Sequence, residues 1–147
     1  MNYKVAENKI REIISNKKSN VLQKVVNLLY ENFDNYSWIG VYIVEGKDLI
    51  LGPWKGLQAT EHTKIPLGKG ICGSAAATGK TEVIPDVNAD NRYLSCFIST
   101  KSEIVVPIKK NGKIIAEIDI DSDKKDAFTK EDEEFLEKVA DLLVDCI

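Results

Sequence analysis

The sequence predicts an α+β fold, in which a single antiparallel sheet is flanked by helices from both ends of the chain. Two patterns predict this fold. Apolar residues follow helical spacing at both ends of the chain, whereas the middle contains short apolar runs separated by turn-forming residues. A chain of 147 residues can bury a core without disulfide bonds or metal ions, so we expect one domain over 1–147. A doubly wound fold is disfavoured.

Three amphipathic helices are predicted, two near the amino terminus and one at the carboxyl end. A polar run over 15–20 separates the first two helices and forms a short turn. Thr129 followed by Asp132 resembles a capping box, which satisfies free N–H groups at the start of a helix, so the closing helix begins there. The apolar positions that define the helices are Ile10, Ile13 and Ile14; Val21, Leu22, Val25, Leu28 and Leu29; and Phe135, Leu136, Val139, Leu142 and Leu143.

Short strands are predicted between these helices. The runs 38–44 and 49–51 are joined by a loop that contains Gly46, which is typical of a hairpin. A brief strand is expected over 81–84, and a second hairpin over 104–120 turns at an Asn-Gly dipeptide, a strong turn signal. These hairpins make the predicted sheet antiparallel.

A short helix is predicted in the middle of the chain, where small residues over 74–77 lead to Gly79, a residue type that commonly closes a helix. The segment 68–73 satisfies the G-x-G-x-x-G pattern, but a dinucleotide site needs a buried strand before it, and Pro66 interrupts the short polar segment found there. We therefore interpret these glycines as a tight entry to a helix whose dipole lowers the pKa of Cys72. A small buried cysteine is the alternative, and both interpretations stay open.

Composition excludes several classes of protein. The chain has 20 Lys and Arg against 23 Asp and Glu, a net charge of -3, and no long basic run, so a nucleic-acid partner is not expected. No stretch approaches the ~18 apolar residues of a membrane span, and the charged amino terminus lacks a signal-peptide core, so we expect a cytoplasmic protein. Three cysteines in a reducing compartment indicate free thiols, and a single histidine argues against a zinc site.

Cys96 is the stronger candidate for a nucleophile. It lies in a polar connection over 85–102 that is long enough to suggest function, and loop thiols are more accessible than thiols in core strands. The alternative is a cysteine packed beneath its own loop. Cys146 is penultimate and is expected to be incidental, and the lone His62 is interpreted as an exposed residue without a role.

A group of carboxylates is predicted on one face of a strand. Glu117, Asp119 and Asp121 alternate with isoleucines at period two, which places the three acids on the same face. For such a stretch alone, a solvated face is the favoured interpretation. Clustered carboxylates repel, so at least one should hold its proton above the ordinary pKa unless a cation lies among them, and the group could supply both an acid and a site for an ammonium ion.

The hairpin register determines which acid faces Glu103. A three-residue loop over 110–112 pairs Ile104 with Ile118, separates the two faces cleanly and places Glu103 opposite Asp119. A two-residue turn would instead mix polar and apolar residues on each face, which strand pairing disfavours. We therefore expect the three-residue loop.

Five segments together resemble the free methionine-(R)-sulfoxide reductases, a family of GAF domains, over nearly the whole chain. The resemblance implies a GAF-like sheet and gives Cys96 as the catalytic cysteine, Glu103, Asp119 and Asp121 as substrate-binding carboxylates, and Trp38 and Tyr42 as the pocket. The segments are Trp-Ile-Gly-Val-Tyr (38–42), Leu-Gly-Pro-Trp (51–54), Ile-Pro-Leu-Gly-Lys-Gly-Ile-Cys-Gly (65–73), Ser-Glu-Ile-Val-Val-Pro (102–107) and Asp-Ile-Asp-Ser (119–122).

The sequence departs from this family at two places. The family's common resolving cysteine falls three residues before the Ile-Pro pair, where this chain has His62, so Cys72 is the predicted substitute. Phe97 and Ile98 follow the catalytic cysteine, where the family tends to have an aspartate and small residues. The family's common resolving cysteine is therefore missing from its expected position in this chain.

The resemblance implies thiol-dependent reduction of free L-methionine (R)-sulfoxide, through a cysteine sulfenic acid and a disulfide that a thioredoxin-like reductant reopens. No metal or organic cofactor is expected. Two other classes remain: a GAF sensor that binds a small ligand without transforming it, which the absence of an output domain disfavours, and a structural or dimerisation unit. The oligomeric state is left open, with a homodimer as one alternative.

Overall fold

The computed structural model describes residues 1–95 and 97–147, so Cys96 lies outside the described residues. Within the described ranges, four α-helices and one six-stranded sheet confirm the predicted α+β class. In chain order the elements are α1 (Tyr3–Ser15), α2 (Val21–Asn32), β1 (Trp38–Glu45), β2 (Asp48–Gly56), β3 (Lys64–Pro66), α3 (Gly70–Thr78), β4 (Glu82–Ile84), β5 (Ser102–Lys110), β6 (Lys113–Ser122) and α4 (Lys130–Leu143).

The sheet has the order β3-β2-β1-β6-β5-β4, and every neighbouring pair of strands is antiparallel. Both predicted hairpins are present, but β2 continues to Gly56 beyond the predicted 49–51, and β3 was not predicted. Glycine and proline within 52–56 conceal this extension, because both residue types are unusual inside strands. The central pair, β1 and β6, comes from distant parts of the chain and places Trp38 opposite Asp121.

Helices α1, α2 and α4 pack on one face of the sheet, and α3 covers part of the other face. The isoleucines Ile118 and Ile120 of β6 point into the first core, so the acids that alternate with them point towards α3. Helices largely on one face are therefore confirmed. None of the helices in the described parts of the chain is long and apolar enough to cross a membrane.

The capping box at the start of α4 is confirmed and extends into a buried network. Asp132 Oδ2 accepts a hydrogen bond from the backbone N–H of Thr129, as a capping residue does. Its other oxygen, Oδ1, accepts hydrogen bonds from the hydroxyls of Tyr36 at 2.7 Å and Tyr3 at 3.1 Å. This aspartate thus joins α4 to α1 and to the segment that enters β1.

The predicted register of the β5–β6 hairpin is wrong. Asn111 and Gly112 form a two-residue turn, and both have positive φ, 53° and 78°, as the tight hairpin turn requires. A β-bulge next to Ile108 inserts one extra residue on β6 and restores the separation of the faces that this turn alone would lose. As a result Glu103 pairs with Asp121, not with Asp119.

Candidate functional site

Four carboxylates lie together on the face of the sheet that α3 covers. Three come from β6 and the fourth, Glu103, from the neighbouring strand β5. Their exposed fractions are 0% for Glu117, 3% for Asp119 and Asp121, and 5% for Glu103, so the interpretation of a solvated face is wrong. The grouping of Glu103, Asp119 and Asp121 on one face is confirmed, and we call these three residues the acidic cluster.

The acidic cluster holds protons more tightly than exposed carboxyls do. Burial is the largest cause that raises the pKa of Glu103, Asp119 and Asp121, because a charged carboxylate is poorly solvated there. The charge of Asp119 further raises the pKa values of Glu103 and Asp121. The expectation that at least one acid retains its proton above the ordinary value is therefore confirmed.

Two oxygens of the cluster are left for a ligand. Asp119 Oδ1 and Asp121 Oδ1 are buried and have no hydrogen-bond partner among the described residues, while Asp121 Oδ2 accepts a bond from the Thr100 hydroxyl at 3.3 Å. Buried polar atoms in native proteins are normally paired. Unpaired carboxylate oxygens of this kind suit a cationic group such as an ammonium ion, which can donate three hydrogen bonds.

Two cavities adjoin the acidic cluster. One, of about 180 Å³, contacts Asp121. The other, of about 20 Å³, contacts Glu103 and Asp119. The lining residues that matter here are Trp38, Phe97 and Thr100 for the larger cavity and Tyr42, His62, Cys72 and Leu94 for the smaller. The larger cavity is below the size typical of drug-binding pockets, which fits a small metabolite.

The two predicted pocket residues lie on β1 directly beside β6. Trp38 pairs with Asp121 and its ring packs against the rings of Trp54 and Phe97, with centroid distances of 6.2 and 5.8 Å. Tyr42 is buried, and its hydroxyl donates a hydrogen bond of 2.7 Å to the backbone carbonyl of His62. Both aromatic residues thus border the acidic cluster.

His62 and Phe97 have positions that the sequence did not predict. His62 is half-buried and lines the smaller cavity, and its proximity lowers the pKa of Asp119, so the interpretation as an exposed residue is wrong. Phe97 packs on Trp38 and lines the larger cavity. The only sequence signal for His62 was its place at the family's resolving position, and nothing in the sequence indicated the packing of Phe97.

Cys72 lies in the first turn of α3, as predicted, but the predicted lowering of its pKa is wrong. The thiol is buried, and burial raises its pKa, with further increases from the charges of Asp119, Glu117, Glu103 and Asp121. The helix dipole is equivalent to about half a charge, which is too little to offset four nearby carboxylates. The ligand atoms of Cys72, Glu103 and Asp119 lie within 4.8 Å of one another, close enough for one cation.

The described neighbours of Cys96 border both cavities. Leu94 lines the smaller cavity and Phe97 lines the larger one, so the connection passes beside the acidic cluster on either side of position 96. Cys146 is half-buried after α4 and lines neither cavity. The predicted roles of Cys96, Cys72 and the cluster remain predictions.

Comparison with known proteins identifies the family. Residues 19–147 match the GAF domain. The chain belongs to the GAF-domain family. The resemblance that the five segments indicate is also confirmed, because several relatives of this chain have the name free methionine-R-sulfoxide reductase.

Three of these relatives show how much of the chain is shared. The Saccharomyces cerevisiae reductase is 45% identical over 111 residues, which cover 73% of this chain and 61% of that protein. The Escherichia coli reductase is 38% identical over 112 residues, 76% of this chain and 67% of that protein. The solved structure of the Neisseria meningitidis reductase in complex with its substrate has a TM-score of 0.90 at 32% identity and covers 97% of this chain and 86% of that one.

Proposed function

We propose that this chain is a free methionine-(R)-sulfoxide reductase, which reduces free L-methionine (R)-sulfoxide to methionine with electrons from thiols. The observation that carries the proposal is the buried acidic cluster beside the aromatic residues Trp38 and Tyr42. Relatives at 38–45% identity with the same reductase name support it. The proposed reaction needs no metal or organic cofactor.

The acidic cluster is the proposed site for the amino group of the substrate. A free amino acid carries an ammonium ion, which can donate to the unpaired oxygens of Asp119 and Asp121. A methionine sulfoxide within a peptide has a neutral amide at that position and cannot balance the buried charge. The cluster therefore favours free methionine sulfoxide over the same residue in a protein.

Cys96 is the proposed nucleophile. Its thiolate attacks the sulfoxide sulfur while a carboxyl of the acidic cluster donates a proton to the sulfoxide oxygen. The oxygen is transferred to the cysteine, so methionine leaves with its sulfur reduced and the enzyme retains a Cys96 sulfenic acid. Leu94 and Phe97, on either side of Cys96, border the cavities beside the cluster, which supports this placement of the reaction.

Cys72 is the proposed resolving thiol. It attacks the sulfenic sulfur, a disulfide forms between Cys72 and Cys96, and the sulfenic oxygen leaves as water. Because burial raises the pKa of Cys72, its proton must pass to a neighbouring base, and a carboxylate of the acidic cluster is the nearest candidate. A thioredoxin-like dithiol then reduces the disulfide, which is consistent with a location in the cytoplasm.

The resolving step can be tested by peptide mapping. The protein is treated with one equivalent of the (R) epimer without reductant, alkylated and digested under non-reducing conditions. We expect a linked peptide that contains Cys72 and Cys96. A persistent Cys96 sulfenic acid, or a link between Cys96 and Cys146, would exclude Cys72 as the resolving thiol.

The proposed activity is tested by methionine release from each sulfoxide epimer with dithiothreitol as reductant. We expect release from the (R) epimer alone and none from Cys96→Ser, because a hydroxyl is a poor nucleophile without an activating base. Cys146→Ser is the matched control and should retain activity. Absence of release, together with binding of a small ligand, would instead favour the non-catalytic GAF sensor.

A further inference from the structure

The indole ring of Trp38 lies flat on two glycines of the sheet. Gly56 is the residue opposite Trp38 on β2, and Gly40 lies two residues further along β1. A Cβ atom built on Gly56 would lie 2.3 Å from Trp38 Cδ1, and one built on Gly40 would lie 2.3 Å from Trp38 Cη2. These are opposite ends of the indole, so no side chain fits beneath either end. We call Gly40 and Gly56 the glycine floor.

The backbone itself does not require glycine at these two positions. Neither Gly40 nor Gly56 has a positive φ, so other residues could adopt the same conformation. Glycine weakens strands, and within them it often marks a place where another group approaches closely. The group that approaches here is the ring of Trp38.

Among the residues that the structure describes, only packing contacts hold the ring of Trp38 at its height above the sheet. The indole N–H of Trp38 is buried and has no hydrogen-bond partner among the described residues, so no polar contact fixes the ring. Its neighbours are the rings of Trp54 and Phe97 and, on the adjacent strand β6, Asp121 of the acidic cluster. Trp38 and Asp121 both line the larger cavity, so a shift of the ring would change the space beside Asp121.

We propose that Gly40 and Gly56 are positioning residues that set the width of the larger cavity, in which the group on the sulfoxide sulfur binds, and thereby limit the size of that group. This inference rests on the proposed function and adds a limit on the size of the alkyl group that the substrate can carry on its sulfur. A methyl group on the floor would lift the ring away from the sheet and into the cavity. The native floor accepts S-methyl substrates, and a raised floor would first reject longer S-alkyl groups.

The matched control is Gly52, which also lies on β2. A Cβ built there would approach the backbone oxygen of Val41 at 3.1 Å and a methyl of Ile43 at 3.3 Å, but not Trp38. Gly52→Ala therefore adds a methyl to the same strand without touching the ring. Its comparison with Gly56→Ala separates an effect on the cavity from an effect on the strand.

The kinetic test compares the (R)-sulfoxides of methionine and ethionine, which differ by one methylene. For Gly56→Ala we expect the KM for methionine sulfoxide to rise on the order of tenfold. The value of kcat/KM should fall more for ethionine sulfoxide than for methionine sulfoxide, because the cavity is narrower. For Gly52→Ala, the KM and kcat/KM for both substrates should stay within about twofold of the values for the native enzyme. Equal losses in the two variants would overturn the proposal.

A double variant and a spectrum keep the test valid if Gly56→Ala is unstable or the proposed function fails. Gly40→Ala should raise the KM as well, and Trp38→Phe in that background should bring it back towards the native value, because phenylalanine lacks the Cη2 and Cζ3 atoms that the added methyl would meet. Near-ultraviolet circular dichroism, which reports aromatic packing, should change in Gly56→Ala and not in Gly52→Ala. An unchanged spectrum in Gly56→Ala would overturn the glycine floor whatever the wild-type activity, whereas wild-type inactivity with a changed spectrum would refute only the proposed function and its size limit.

Discussion

The pKa of Asp119 is subject to opposing effects from its surroundings. Burial raises its pKa, while hydrogen bonds from Glu103 and the Cys72 thiol and the proximity of His62 lower it. Its pKa is therefore raised less strongly than that of Asp121, for which burial and the charge of Asp119 act together. This difference makes Asp119 the member of the cluster best placed to carry a negative charge towards an ammonium ion.

Asp119→Asn tests that assignment. The amide cannot carry the charge or exchange the proton, so turnover of the (R) epimer should fall on the order of 100-fold. Stability should be unchanged or higher, because one buried charge is removed from a group of like charges. Initial rates and melting temperatures measure the two effects, with exposed Asp141→Asn as the matched control. A large loss of melting temperature with normal kinetics would indicate a purely structural role.

The sequence predicts which acids share a face of the sheet but not how deeply they are buried. The period of two at Glu117, Asp119 and Asp121 is a local property, so it can be read directly. Their burial depends on α3 and on the connection that carries Leu94 and Phe97, which are distant in sequence and leave no local pattern. The same burial explains why the predicted low pKa of Cys72 is wrong.

Among the elements, the β5–β6 hairpin shows how register and turn act together. The Asn-Gly turn takes two residues, which alone would put isoleucines opposite acids, and the bulge next to Ile108 corrects the faces by one residue. The three-residue loop predicted over 110–112 separates the faces without a bulge inside β6, and so it pairs Glu103 with Asp119. The bulged stretch of β6 over 114–116 contains no glycine that would indicate a bulge in the sequence.

Asp132 both caps helix α4 and accepts hydrogen bonds from two tyrosine hydroxyls, so it should contribute more to stability than the acid of a capping box on the surface. Asp132→Ala removes the cap and leaves the hydroxyls of Tyr36 and Tyr3 without their acceptor. We expect the free energy of unfolding to fall by about 2–4 kcal/mol. Denaturant unfolding of Asp132→Ala against the exposed Asp141→Ala, expected within about 0.5 kcal/mol of the native protein, measures this. Equal stability of the two variants would contradict the network.

Over the whole molecule, the buried acids make stability depend on pH. Folding raises their pKa above the ordinary values of 3.8 for Asp and 4.5 for Glu, so the native state binds more protons than the unfolded state. The stability contributed by these protons is complete below the ordinary values and is lost as pH rises towards the raised ones. The ligand-free protein should therefore be more stable in mildly acidic than in alkaline solution.

Melting temperatures from about pH 5 to pH 9 test this dependence. We expect a steady fall with rising pH in the native protein and a shallower fall in Asp121→Asn, which lacks one of the titrating groups. Free methionine sulfoxide should reduce the dependence, because its ammonium ion stabilises the charged carboxylates. A melting temperature that rises with pH in the native protein would show that the cluster is not protonated in the folded state.

The fold class follows from the sequence, whereas the order of the strands does not. Helical spacing at both ends and hairpin signals between them are local and predict α+β. The pairing of β1 with β6 joins Trp38 to Asp121 across more than half of the chain, and it brings the aromatic residues to the acids. Only the family resemblance placed these residues in one site before the structure did.

Two substrates of the native enzyme test directly whether the acidic cluster binds the free ammonium group of methionine sulfoxide. N-acetylation removes that charge while keeping the sulfoxide. We predict that kcat/KM for N-acetyl-L-methionine (R)-sulfoxide is at least about 100-fold below that for the free amino acid, because a buried ion pair is lost. Equal values of kcat/KM for the two substrates would contradict binding of the ammonium group by the acidic cluster.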